Sequence, residues 1–79
     1  MKLKVYSLKG VEFEGEARSL NINTKLGEIT VLDNHLPIIT LLEKGTAKIG
    51  LDGGKTENIE IESGFLEMDD ENNLSVLKD

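Results

Sequence analysis

Short runs in which every second residue is apolar, separated by glycines, cover most of this chain and leave it few folds to adopt. Leu3 and Val5 alternate with Lys2 and Lys4, Val11 and Phe13 with Glu12 and Glu14, and Leu20 and Ile22 with Ser19, Asn21 and Asn23. Ile29 and Val31 flank Thr30, and Ala47, Ile49 and Leu51 alternate with Lys48 and Gly50. Ile59 and Ile61 alternate with Asn58, Glu60 and Glu62, and Leu74 and Val76 straddle Ser75. Successive side chains of a strand point to opposite faces, so each run offers one apolar face to a core and one polar face to water. The many β-branched residues at the inward positions favour strands. No segment keeps apolar residues at the i, i+3, i+4, i+7 spacing of a helix.

Turn signals divide these runs. Lys9-Gly10, Lys25-Leu26-Gly27, Lys44-Gly45, Asp52-Gly53-Gly54, Ser63-Gly64 and the stretch from Asp69 to Asn73 all fall between alternating segments. Asp52-Gly53-Gly54 is the clearest hairpin signal, because these residues tolerate positive φ. Short strands about ten residues apart predict an all-β domain, a small sandwich or barrel of antiparallel strands. Residues 1–79 contain no composition shift, repeat or low-complexity tract, so they form one domain.

Composition narrows the chemistry. A chain of 79 residues buries only about 60% of its unfolded surface and is marginal alone, which suits a domain completed by a partner. The absence of cysteine removes disulfides, thiolate nucleophiles and thiolate zinc sites. A single histidine removes the two-histidine metalloprotease helix. A net charge of −6 with one tyrosine and two phenylalanines opposes nucleic acid binding, which wants a basic stripe and stacking platforms. The apolar stretch Leu36 to Leu42, interrupted by Pro37 and Thr40, falls far short of the roughly 18 residues a membrane span needs. The opening residues lack the apolar run of a signal peptide, so a cytoplasmic protein is expected.

The catalytic patterns fail on spacing. Gly53-Gly54-Lys55-Thr56 ends like a phosphate loop, but the required first glycine falls on Ile49, and Thr56 to Glu62 alternates like a strand where a helix is needed. Asp69, Asp70 and Glu71 lack the glycine and ligand spacing of a calcium loop and read as a solvated turn with Asn72 and Asn73. Glu12, Glu14, Glu16, Glu60 and Glu62 fall on outward strand positions, where charge discourages sheet edges from pairing. Ser63 lacks the frame of a nucleophile elbow. No catalytic residue, metal or cofactor is expected. Lys55, on a hairpin tip of a small acidic β domain, resembles the layout of a lipoyl or biotinyl carrier domain and supplies the alternative reading, although its neighbours Gly53 and Gly54 are not the usual ones.

His35 lies in Asp33-Asn34-His35-Leu36-Pro37, where Asp33 and Asn34 suggest an Asx-type turn. The residues that follow, Leu36, Ile38, Ile39, Leu41 and Leu42, exceed what a half-buried strand uses. They are either a strand buried on both faces or a surface patch that a partner covers.

The run Gly27-Glu28-Ile29-Thr30-Val31-Leu32-Asp33-Asn34-His35-Leu36-Pro37-Ile38-Ile39 resembles the signature of the epsilon subunit of F-type ATP synthases, called delta in mitochondria. Ser63-Gly64-Phe65-Leu66-Glu67 is similar to that family's later Gly-Gly-Phe/Ile-Leu-Glu element, and Asn73 to Asp79 to its Val-Leu-x-Asp ending. The opening strand, turn and return strand from Lys2 to Gly15 also match, so the resemblance covers essentially the whole chain. Asp33 replaces the usual proline, Leu36 the usual alanine, Glu43-Lys44-Gly45 a Lys-Pro-Gly turn and Ser63 a glycine. The resemblance implies a β-sandwich in a noncatalytic rotor subunit, peripheral on the cytoplasmic face of the membrane, that links the gamma subunit to the c-ring. It implies that Glu28 falls on the loop that faces the c-ring, and that His35, Pro37, Ile39 and Thr40 fall on the segment facing gamma. Many members continue into a C-terminal helical hairpin that acts as a regulatory brake; the 79 residues hold the sandwich without it, which fits a short member and a truncated one equally. Intact mass after expression with lipoate or biotin separates the two readings: unmodified chain is expected, and a modification on Lys55 overturns the rotor reading.

Overall fold

The alternating runs become nine strands in a computed structural model that describes all 79 residues. They are β1 (Lys2–Ser7), β2 (Gly10–Glu16), β3 (Ser19–Thr24), β4 (Gly27–Leu32), β5 (Ile38–Leu41), β6 (Gly45–Gly50), β7 (Thr56–Ile61), β8 (Gly64–Met68) and β9 (Asn73–Lys78). A five-stranded sheet runs β2-β1-β9-β8-β5, and a four-stranded sheet runs β4-β3-β6-β7. Their inner faces share one core, in which Leu3, Leu66 and Leu74 from the first sheet and Leu20, Val31 and Ile49 from the second are almost wholly shielded from water. The expected β-sandwich is what forms.

Two details depart from the sequence reading. The predicted strands were all antiparallel, but β1 and β9 pair in parallel, with Leu3 opposite Leu74 and Val5 opposite Val76. These strands come from opposite ends of the chain, and no turn joins them to set their direction. Val11, expected inward with Phe13, instead faces out and is 53% exposed. Phe13 pairs with Val5 and Val11 with Tyr6, so Glu12 is an extra residue that bulges the strand and reverses the phase of what precedes it.

The turns follow their residue chemistry. Asp52, Gly53 and Gly54 form a single 3₁₀ turn between β6 and β7, with both glycines at positive φ, as the hairpin reading required. Thr56 opens β7, so no helix follows the Gly-Lys-Thr sequence. The acidic stretch closes the β8–β9 turn: Asp69 Oδ1 accepts from the backbone N–H of Glu71 at 2.8 Å and of Asn73 at 2.9 Å. Gly64, with φ +142, has a different constraint, since a Cβ there would collide with the carbonyl oxygen of Leu77 on β9. That approach explains why this member of the Ser63-Gly64 pair stays glycine while serine stands in the other position.

Two stability predictions follow from these turns. Gly64→Ala combines a disfavoured φ with overpacking against β9 and is expected to lower unfolding free energy by about 3 kcal/mol in a denaturant titration. Asp69 is held below its ordinary value of 3.8, chiefly by the N–H of Asn73 and then that of Glu71. A depressed folded-state pKa gives stability that is present above the unfolded value and lost as pH falls through the folded one. Melts of Asp69→Asn should therefore show a shallower loss of stability below about pH 4 than the parent chain.

Candidate functional site

The dense apolar segment resolves into an edge strand with apolar residues on both faces. Leu42 is buried and Ile38 half-buried toward the core, while Ile39 and Leu41 point outward at 71% and 62% exposure. Of the two readings the sequence left open, the surface patch describes the outward face of this strand. Strand register extends the patch across the whole sheet. Leu41 of β5 lies opposite Phe65 of β8, Phe65 opposite Leu77 of β9, Leu77 opposite Tyr6 of β1, and Tyr6 opposite Val11 of β2. This row of five apolar side chains crosses four strand spacings, about 19 Å. The adjacent row is Ile39, Glu67, Ser75, Lys4 and Glu14, which rims the stripe with mixed charge. Lys4 Nζ lies 5.2 Å from the centre of the Tyr6 ring and shields part of it.

At the β5 end the stripe opens into a groove of about 540 Å³ lined by Lys25, Leu26, Ile39, Thr40, Leu41 and Phe65. The β3–β4 turn forms one wall, and Thr24 determines its shape. Its buried hydroxyl donates to Gly27 O at 2.6 Å and accepts from Leu26 N–H at 3.1 Å, while Lys25 N–H donates to Leu41 O at 3.0 Å. So fixed, the turn pushes Leu26 outward until it is 90% exposed. Lys25 Nζ is paired with the Glu43 carboxylate at 3.0 Å, and the other lining is mostly apolar.

The residues singled out in the sequence do not gather in one place. Ile39 and Thr40 line the groove. Glu28, expected on a loop, is instead in β4, because the strand pairing with β3 runs down to Thr24 opposite Gly27; it is exposed opposite Asn23 and lies outside the groove. His35 and Pro37 are exposed on the loop that follows the other end of β4. That loop begins with a backbone turn in which His35 N–H donates to Leu32 O at 3.1 Å and Asn34 adopts φ +62. The Asp33 side chain does not close this turn, as an Asx motif would have it do. It accepts instead from the Met1 ammonium and from Asn72 Nδ2 at 2.8 Å, and these two contacts, in that order, hold its carboxyl below the usual carboxylate range. Lys55 is exposed on the β6–β7 tip, where the carrier reading placed it.

Leu26, Phe65, Leu77, Tyr6 and Val11 escaped the sequence reading. Phe65 and Leu77 did carry a signal, because each is apolar at the outward phase of a strand whose inward phase, Leu66 with Met68 and Leu74 with Val76, is already filled.

The fold has close counterparts. A chain in the structure of the Euglena gracilis mitochondrial ATP synthase, OSCP/F1/c-ring in rotational state 1, superposes with a TM-score of 0.89 at 23% identity over 96% of this chain. A chain in the Tetrahymena thermophila mitochondrial ATP synthase central stalk/c-ring structure gives 0.83 at 10% identity over 99%. The present chain spans 48% and 62% of those two chains. At such identities the superpositions establish the fold. The family model for the beta-sandwich domain of the ATP synthase Delta/Epsilon chain matches residues 1–79, and this chain belongs to that family.

Proposed function

We propose that this domain is part of a noncatalytic subunit of the ATP synthase rotor, which joins the gamma subunit to the c-ring and helps couple ion flow to ATP synthesis. The observation that carries this reading is the row Leu41, Phe65, Leu77, Tyr6 and Val11, an apolar stripe on the solvent face of the five-stranded sheet. A stripe with a charged rim is the anatomy of a protein interface, and covering it removes apolar surface from water. In this reading gamma covers the stripe together with Ile39, Thr40 and the His35–Pro37 loop.

A linking subunit needs a second contact region, and in this reading Glu28 supplies it from the outer face of the second sheet, two residues past the groove wall at Leu26. About 13 Å of strand lies between Glu28 and Leu32, where the loop bearing His35 begins. The c-ring takes the Glu28 end, and the net charge of −6 favours basic partner loops there. The subunit then lies peripherally on the cytoplasmic face of the membrane. The counterparts give the reading its context: the Tetrahymena chain comes from a structure of the central stalk and c-ring. The carrier alternative rests on the position of Lys55 alone, and the match of the whole chain to the Delta/Epsilon family gives it no support.

Ile39→Asp places a charge beside the stripe without touching the core. It is expected to weaken association with gamma by about tenfold or more while leaving β-sheet circular dichroism unchanged. Unchanged co-purification with gamma would count against this placement.

A further inference from the structure

The loop from Asp33 to Pro37 crosses from the four-stranded sheet to the five-stranded one, and few backbone bonds within it hold its shape. Its one internal turn bond is His35 N–H to Leu32 O. Its other backbone restraint, and one of the two contacts on Asp33, come from Asn72, 38 residues away in sequence from Asn34 and on the β8–β9 turn; the second contact on Asp33 is the Met1 ammonium. Asn72 Oδ1 accepts from the Asn34 backbone N–H at 2.7 Å. Asn72 Nδ2 donates to Asp33 Oδ1 at 2.8 Å. Asn72 O accepts from Lys2 N–H at 3.1 Å, which ties the same residue to the start of β1.

We propose that Asn72 is the positioning residue that holds the Asp33–Pro37 loop in the shape it presents to a partner. An amide is the side chain this place requires, because it carries a donor and an acceptor on one rigid plane. Aspartate at position 72 would accept from Asn34 N–H but repel the Asp33 carboxylate. Asn72 also sits at φ +63, a conformation asparagine tolerates better than most residues. Asp33 stands where the related pattern has proline, so here two side-chain hydrogen bonds restrain the segment that a proline ring would otherwise stiffen. That the held loop docks on gamma rests on the function proposed above; that Asn72 holds it does not.

The test uses hydrogen exchange and gamma binding on the full protein. Asn72→Gly keeps positive φ available and removes only the side-chain grip. Exchange at the Asn34 and His35 amides should rise about tenfold or more, while amides of the core strands β3 and β6 keep their protection. Asn72→Asp should also loosen the loop, because a second carboxylate then faces Asp33. Unchanged exchange at Asn34 in Asn72→Gly overturns the proposal. Looser exchange with weaker gamma binding supports both it and the docking reading. Looser exchange with unchanged gamma binding supports the role of Asn72 and removes this loop from the gamma contact.

Discussion

One shared core between two sheets is the condition on which everything else in this domain depends. With so few residues, neither sheet can bury its inner face except against the other. Leu3, Leu66 and Leu74 need Leu20, Val31 and Ile49 across the sandwich, and the reverse holds equally. Inward positions are therefore committed to packing throughout. Whatever the domain does must be done by outward side chains and by the turns that join the strands.

Against that background the outward apolar row is costly. Leu41, Phe65, Leu77, Tyr6 and Val11 contribute nothing to the core, and in a free domain they leave apolar surface in water. The outer face of the second sheet, which carries Glu28, is built differently. Asn21, Thr30, Lys48 and Asn58 stand side by side there, polar in every strand. The two outer faces thus differ in chemistry within a single fold, and hydrophobic burial is a reason for covering the apolar one. Leu26, held out by the Thr24 hydroxyl, extends the same logic from the sheet into a turn.

Most of the fold was legible because period-two patterning is local, and a strand states its inward face in its own residues. Glycine and asparagine likewise stated the turns at Gly53-Gly54 and Asn72. What could not be read depends on pairing between distant segments. The bulge at Glu12 reverses Val11 only because of how β2 meets β1, and nothing in Val11-Glu12-Phe13 distinguishes that from simple alternation. The stripe is a property of register across five strands, so each of its members looks like an ordinary exceptional apolar residue when its own strand is read alone. The grip of Asn72 on Asp33 joins two turns whose residues already had sufficient local explanations. The resemblance that led to Ile39 and Thr40 reached part of the apolar surface, and strand pairing was needed to show its extent.

The parallel pairing of β1 with β9 has a consequence for how the molecule is made. β1 sits between β2 and β9 near the middle of the five-stranded sheet, yet one of its two partners lies at the far end of the sequence, with Lys2 beside Asn73. The hairpins β1–β2, β3–β4 and β6–β7 can form as the chain lengthens, but the first sheet has no centre until residues 73–78 arrive. Closing so long a loop makes folding slow, and on the ribosome it must wait until the last strand has emerged from the exit tunnel. During that interval the inward faces of β1 and β8 lack the strand that joins them, so apolar surface and unpaired strand edges are exposed together at the stage when the interface row is also uncovered.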